Sequence, residues 1–290
     1  MTSAPHPRTL RRFAWPVMAA AVLPLHLFAL DPAPAGPPAL AGSAIFDWDA
    51  LAGKRTSAGF SRPVADSPIP TMARFEMHVT TLNPGKPSHP PHNHPQEELV
   101  LVKEGTLESS INGQKDRIGA GSLLFFAAHD VHNVTNIGET PATYYVINFY
   151  TAATATVRDQ PAADWAPSGM LRSSVVHWEA LDAKPNAVGV RRSYVNSPTL
   201  TFANLEIHAS TVNPGAPASA AHRHPWLELV IIRDGSLEVS LDGRKQTAGP
   251  GSIVYMAPNA LQSTRNPGTV PTTYVVFAVS SAATGKASDN

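Results

Sequence analysis

Pro84–Gly105 reads PGKPSHPPHNHPQEELVLVKEG, and Pro214–Gly235 reads PGAPASAAHRHPWLELVIIRDG. Each stretch carries His-x-His, three residues, a Glu, six residues and a Gly. The first copy supplies His92, His94, Glu98 and Gly105; the second supplies His222, His224, Glu228 and Gly235, at a constant offset of 130 (222 minus 92). Imidazole and carboxylate groups recurring at one spacing form a metal-ligand pattern. The same offset relates Trp48 to Trp178, Glu76-x-His78 to Glu206-x-His208, and Thr143-Tyr144 to Thr273-Tyr274. A period this long is a duplicated domain and not a solenoid repeat. Each copy, of roughly a hundred residues, is large enough to bury a core of its own.

Composition narrows the class. The chain is 43% hydrophobic with 15% charged residues and 28 prolines, which suits a compact, loop-rich β protein. The formal net charge is zero and no basic stripe is present, so nothing in the sequence marks a nucleic-acid partner. Arg8, Arg11 and Arg12 precede an apolar stretch from Phe13 to Leu30 that contains Pro16 and Pro24. This reads as an export signal over residues 1–30, cleaved rather than kept as a stable membrane span, with a Sec or twin-arginine route. A Pro/Ala-rich lead-in follows over 31–44. The absence of cysteine rules out disulfides. The expected location is the periplasm or the medium.

Beyond the signal the pattern is that of strands. Phe75-Glu76-Met77-His78-Val79-Thr80 alternates apolar and polar residues, and Leu99–Val102 is a buried apolar run ending in a turn at Glu104-Gly105. Asn112-Gly113 and Asp242-Gly243 are two-residue hairpin turns. Short strands at such regular spacing predict an all-β protein of two sandwiches or barrels. The expected boundaries are 45–155 for the first, 156–174 for a linker, 175–282 for the second and 283–290 for a tail.

At these residues each unit resembles a cupin, whose first motif is G-x5-H-x-H-x3,4-E-x6-G and whose second is G-x5-P-x-G-x2-H-x3-N. Copy one matches with Gly85, His92, His94, Glu98 and Gly105, then Gly121, Ala127, His129, His132 and Asn136. Copy two matches with Gly215, His222, His224, Glu228 and Gly235, then Gly251, Ala257, Asn259, Gln262 and Asn266. The resemblance implies two tandem jelly-roll (double-stranded β-helix) barrels, a bicupin. In both copies six residues, not five, separate the first Gly from the first His. His129 and Asn259 replace a glycine that needs a left-handed backbone, which His and Asn tolerate better than most residues. The fourth ligand position is His132 in copy one and Gln262 in copy two.

On a strand, His92 and His94 would share a face, with Glu98 arriving after the Pro95 bend and His132 coming from a neighbouring strand. Three imidazoles and one carboxylate suit a divalent transition metal, manganese or iron first, with zinc, nickel or copper as alternatives. Glu97 competes with Glu98, but copy two has Leu227 and Glu228 there, so Glu98 is the ligand and Glu97 is expected in solvent. His222, His224 and Glu228 can still form a facial triad, with Gln262 as a weak oxygen ligand. The family resemblance gives Glu98 a second, catalytic role as a proton acceptor.

The remaining polar residues read as structural. Glu76 with His78, and Glu206 with His208, are expected as an outward row or interdomain contact, because Phe75, Met77 and Val79 occupy the opposite face. His89 reads as a solvated loop residue, with a place at the site entrance as the alternative, and Tyr144, Tyr145, Phe125 and Tyr255 read as barrel core. Trp48 and Trp178 are expected to pack each lead-in segment on its own barrel, and His177 has no evident partner. The function implied is that of an exported metal-dependent enzyme acting on a small oxygen-rich molecule, of dioxygenase, decarboxylase or isomerase type. The competing reading is a non-catalytic metal- or small-molecule-binding protein. Oxalate-decarboxylase-like bicupins carry an Arg three residues before the first ligand His, where this chain has His89 and Ser219. A homo-oligomer is compatible with the sequence.

Overall fold

A computed structural model describes residues 1–2 and 39–284. The expected signal over 1–30, most of the lead-in and most of the tail lie outside the described residues. The described residues from Ala39 on form one compact unit, and strands dominate it.

Each copy pairs a seven-stranded sheet with a smaller one. In the first copy the large sheet runs Ser174–Val176, Leu123–Phe126, Glu97–Glu104, Ala142–Tyr150, Met72–Leu82, Gly59–Ile69 and Lys54–Arg55. The small sheet is Gln114–Ile118, Leu107–Ile111 and His132–Asn136, extended by single bridges Pro87–Thr135 and His92–His132. The second copy repeats this plan, with Pro217–His222 as a full strand beside Gln262–Arg265. The expected barrels are therefore jelly-roll sandwiches and not closed cylinders.

Three apolar clusters explain the strand patterns. Leu99 and Leu101 enter a core shared between the copies, with Leu229 and Ile231. Val100 and Val102 point the other way and pack with Leu107, Ile118 and Val134 inside the first copy. A strand buried on both faces reads as a continuous apolar run, which is why this one does not alternate. Phe75 faces Tyr255 across the shared core with ring centroids 5.9 Å apart, and Phe149 meets Phe202 at 5.5 Å.

The turns follow local backbone chemistry. Asn112 and Gly113 have φ of 47° and 83°, and Asp242 and Gly243 have 48° and 85°, as a two-residue hairpin requires. His129 and Asn259 sit at φ 58° and 64°, the left-handed conformation expected where the family has glycine. Asn136 donates to Leu82 O and Thr140 O and accepts from Gly138 N, so this motif residue ties a turn and leaves no polar atom free.

The lead-in segments correct one expectation. Ala44–Phe46 pairs with Ile253–Met256 of the second copy, and Ser174–Val176 pairs with Leu123–Phe126 of the first. Each copy thus lends an edge strand to the other. Trp48 stays beside Arg62 and Lys103 of its own copy while its N–H donates to Ser252 Oγ of the other. A Cβ at Gly251 would come within 2.7 Å of the Trp48 ring, so this glycine serves both its φ of 88° and the seating of the exchanged tryptophan. The exchange covers Ile253–Met256 and Leu123–Phe126 with a short three-residue edge strand from the other copy and so fuses the two copies. His177 finds its partner in this region, with Nε2 2.9 Å from Asp116 Oδ2.

Candidate metal centre

His132 opens a strand, and its backbone exchanges hydrogen bonds with His92 (3.2 and 2.9 Å). The pairing sets their rings side by side, with centroids 4.7 Å apart. The expected strand does not continue to His94. In copy two it ends at His222, and in copy one only isolated bridges form, at Pro87 and His92. His94 instead arrives from the loop, where its carbonyl accepts His129 N–H at 2.8 Å, and its ring lies 5.2 Å from His92 and 4.8 Å from His132. One ring nitrogen from each of His92, His94 and His132 lies within 4.8 Å of the others, the single such group among the described residues.

The protons on two of these rings are assigned by their partners. His94 Nδ1 faces the Gln96 carbonyl at 2.9 Å and His132 Nδ1 faces the Asp130 carbonyl at 2.8 Å. A carbonyl only accepts, so both Nδ1 atoms carry hydrogen and both Nε2 atoms present lone pairs. Those two Nε2 atoms, and His92 Nδ1, are buried without a hydrogen-bond partner. The two Nε2 atoms are acceptors, and buried acceptors left unpaired are rare and costly; a bound cation would satisfy both. Glu98 Oε2 lies 3.3 Å from His94 Nε2, and Oε1 lies 3.9 Å from His132 Nε2. With the His94 proton on Nδ1, the shorter distance is a close approach of two lone-pair donors. Phe126 stacks on His132 at 4.1 Å and fixes its plane.

The charge states match. Burial pulls His132 down to about 4, against the pull of Glu98. Burial, aided by His89 and His94, also lowers His92. Burial opposes the charge on Glu98, but the histidines around it, His94 first, outweigh that when they carry a proton and hold the carboxyl below its usual range. Neutral rings and an ionised carboxylate are the forms a metal binds.

Above this cluster lies a cavity of about 300 Å³, lined in part by His78, Thr80, His89, Tyr144 and Asn148. Its lining corrects one expectation. Glu76 and His78 do not point outward: Phe75, Met77 and Val79 fill the core between copies, and the polar face of the same strand looks into the cavity side. His78 Nδ1 lies 2.7 Å from Glu76 Oε1, and Asn148 donates to Glu76 Oε2 at 2.9 Å. Burial opposes charge on His78, but Glu76 outweighs it and raises the ring above its ordinary value. Tyr144 lines the cavity while belonging, as expected, to the core of its copy, and Tyr145, Phe125 and Tyr255 belong to the shared core. His89 is exposed, as expected, yet stands edge-on to His92 at 3.9 Å and lines the entrance.

Glu97 is the clearest correction. It is 1% exposed, not solvated, and receives Thr199 Oγ1, Leu200 N–H, Thr201 N–H and Thr201 Oγ1 from the second copy. Burial pushes its carboxyl up, against those hydroxyl and amide donors. Its counterpart Leu227 is fully buried, and an apolar counterpart is itself a sign of burial at that position.

In the second copy Gln262 is buried and its Nε2 lies 2.9 Å from His224 Nε2 and 2.7 Å from Glu228 Oε2. His222 is exposed, with Nδ1 at 2.8 Å from the Ala220 carbonyl. A cavity of about 250 Å³ adjoins them, lined in part by His208, Ser219, Thr264 and Tyr274. His208 again faces Glu206 at 3.0 Å, but Glu206 also takes Arg191 at 2.7 Å, and Ala278 stands where the first copy has Asn148.

The family model described as Cupin domain matches residues 78–148 and 209–278, one match in each copy. The chain is a two-domain cupin. It shares its fold with protein Ylba from E. coli (TM-score 0.63, 12% identity, covering 82% of this chain and 90% of that one). It is similarly like AerE from Microcystis aeruginosa (0.59, 15%, 81% and 98%). Oxalate decarboxylase from Lactobacillus farciminis, in complex with formate, aligns with a TM-score of 0.61 at 13% identity over 82% of this chain and 86% of that one. A comparison with curated proteins returns no match. Among the described residues no helix is long and apolar enough to cross a membrane.

Proposed function

We propose that this bicupin is a metal-dependent enzyme, a lyase or an oxidoreductase, acting on a small oxygen-rich molecule in its first domain. His92, His94, His132 and Glu98 would hold the metal. The observation that carries this reading is the set of three buried, unpartnered ring nitrogens beside a cavity able to admit a small molecule. Manganese or iron suits three imidazoles and a carboxylate. When bound, such an ion supplies a Lewis acid or a redox centre at the substrate oxygens.

The chain's own residues supply the rest. His78, with Nδ1 held by Glu76, offers its other nitrogen to the cavity and can exchange a proton with the substrate there. Asn148 steadies Glu76 from the other side, so the imidazole is oriented by a carboxylate that is itself oriented. Glu98 is the second proton acceptor within reach of the same cavity. Thr80 and Tyr144 add hydroxyls, and His89 stands at the mouth where the oxalate decarboxylases that the first domain resembles carry an arginine. The cavity volume favours small carboxylates and dicarboxylates, the size class of the formate held by the decarboxylase neighbour. An open, polar cavity beside the cluster favours catalysis over storage, because structural metal sites close their coordination positions. Export to the periplasm or medium is proposed from residues 1–30 alone.

The test is elemental analysis of the full chain, with carbon dioxide release and oxygen uptake followed on oxalate, other dicarboxylates, diketones and diphenols. Metal-dependent turnover of one class is expected. Stoichiometric metal without turnover on any of them would leave a binding protein, and absence of metal would reject the reading.

A further inference from the structure

We infer that the second cupin domain excludes metal, the side-chain amide of Gln262 taking the place of a cation by cross-linking His224 and Glu228. The family resemblance implies a site in each half, and the residues of the second half do not fit one.

Three observations carry the inference. First, His224 Nδ1 faces the Trp226 carbonyl at 2.9 Å, so its hydrogen lies on Nδ1 and its Nε2 is an acceptor. Glu228 is the other acceptor, its carboxylate Oε2 facing the same amide. The two N–H bonds of one amide meet these two acceptors at 2.9 and 2.7 Å. Turning the amide over would set its oxygen against a carboxylate and a lone pair, so electrostatics fixes the orientation.

Second, the ring nitrogens of the second half are not left wanting. His94 Nε2 and His132 Nε2 are buried without partners, whereas His224 Nε2 is met by Gln262, and the carbonyl on His222 Nδ1 leaves its other nitrogen on an exposed ring. Third, His222 is exposed, and the second-half residues do not gather as His92, His94 and His132 do. The remaining cost is Gln262 Oε1, which is buried without a partner.

A cation entering here would have to break both amide hydrogen bonds, one of them to a charged group. It would gain only an exposed imidazole and a neutral oxygen in return. Affinity at least about a hundredfold below that of a three-imidazole site follows. The inference uses the first domain only as a standard of comparison.

The experiment is equilibrium dialysis of the full chain against manganese(II) alone, followed by counting of bound metal. Gln262→His is expected to bind one manganese more than wild type, and Gln262→Ala the same number as wild type. A chain carrying His92→Ala and His132→Ala tests the second domain with Gln262 in place, and it is expected to retain none. A retained equivalent in that double variant, or two equivalents in wild type, would overturn the inference. Gain of one by Gln262→His over a wild type that binds none would uphold it, while sinking the metal reading of the first domain.

Discussion

The two halves of this chain share one strand plan, with Pro217–His222 a full strand only in the second, and at the site they differ where one imidazole has become an amide. In the first half His132 brings a buried lone pair to two others and to Glu98. In the second, Gln262 brings hydrogens, and they are already used by His224 and Glu228. One site is built with its acceptors unmet and the other with them met. The same asymmetry runs through the cavities. Glu76 is shared by His78 and Asn148 alone, whereas Glu206 is shared with Arg191 and has no asparagine across from it. Retention of fold therefore says little about retention of chemistry, which rests on a handful of donors and acceptors.

The largest effect is expected from making the first half like the second. His132→Gln should release the metal from the first domain and abolish metal-dependent turnover while the chain stays folded. Elemental analysis checks this, and stoichiometric metal in the variant would show that the fourth position is not what separates the halves. Next, His78→Gln should lower turnover by about 10²- to 10⁴-fold with metal content unchanged, the range for loss of a positioned acid–base group. His208→Gln should change turnover little. Steady-state kinetics beside metal counting distinguishes the two histidines, and equal effects would remove the assigned role of the Asn148–Glu76–His78 chain.

The second-domain loop Thr199–Thr201 sharpens the comparison at the junction. Glu97→Leu copies Leu227 into the first half, but leaves the donors at Thr199, Leu200 and Thr201 buried and unpaired. A loss of about 2–4 kcal/mol is expected in urea unfolding. A neutral result would mean that the junction is held by its apolar core alone.

Much of this was legible in the residues. The constant offset of 130, the hairpin pairs Asn112-Gly113 and Asp242-Gly243, and the apolar run Leu99–Val102 are local patterns, and local patterns survive into structure. The gathering of His92, His94 and His132 was legible because the spacing occurs twice. What escaped depends on partners far away in the chain. The strand Met72–Leu82 buries one face and half-buries the other, so its alternation showed which face is apolar but not that the polar one looks into a cavity. Glu97 looked solvated because a carboxylate usually is; only the loop at Thr199–Thr201, over a hundred residues on, makes its burial tolerable. The exchange of Ala44–Phe46 and Ser174–Val176 leaves no trace in composition, since either large sheet offers an equivalent edge. Arrangement between domains is a long-range property, and only the repeated Glu-x-His pattern hinted at the cavity lining.

Acid should separate the halves by a smaller amount. A histidine near 6.5 when unfolded and at about 4 when folded leaves the unfolded state holding more protons between those values. Stability of the metal-free chain therefore falls as pH drops through that window, by at most about 3 kcal/mol from His132. Glu97, pushed up by burial, acts in the opposite sense, so the effect is read as the difference between wild type and His132→Gln. Urea titrations from pH 7 to pH 4 should show the variant losing less stability; parallel curves would mean that His132 is not held neutral by its surroundings.

Anomalous diffraction from crystals of the manganese-loaded full chain tests the central claim most directly. One peak per chain, within coordination distance of His92, His94, His132 and Glu98 and with none beside Gln262, is the predicted map. A map with no peak among those three imidazoles, or with its strongest peak at His224, would contradict the account.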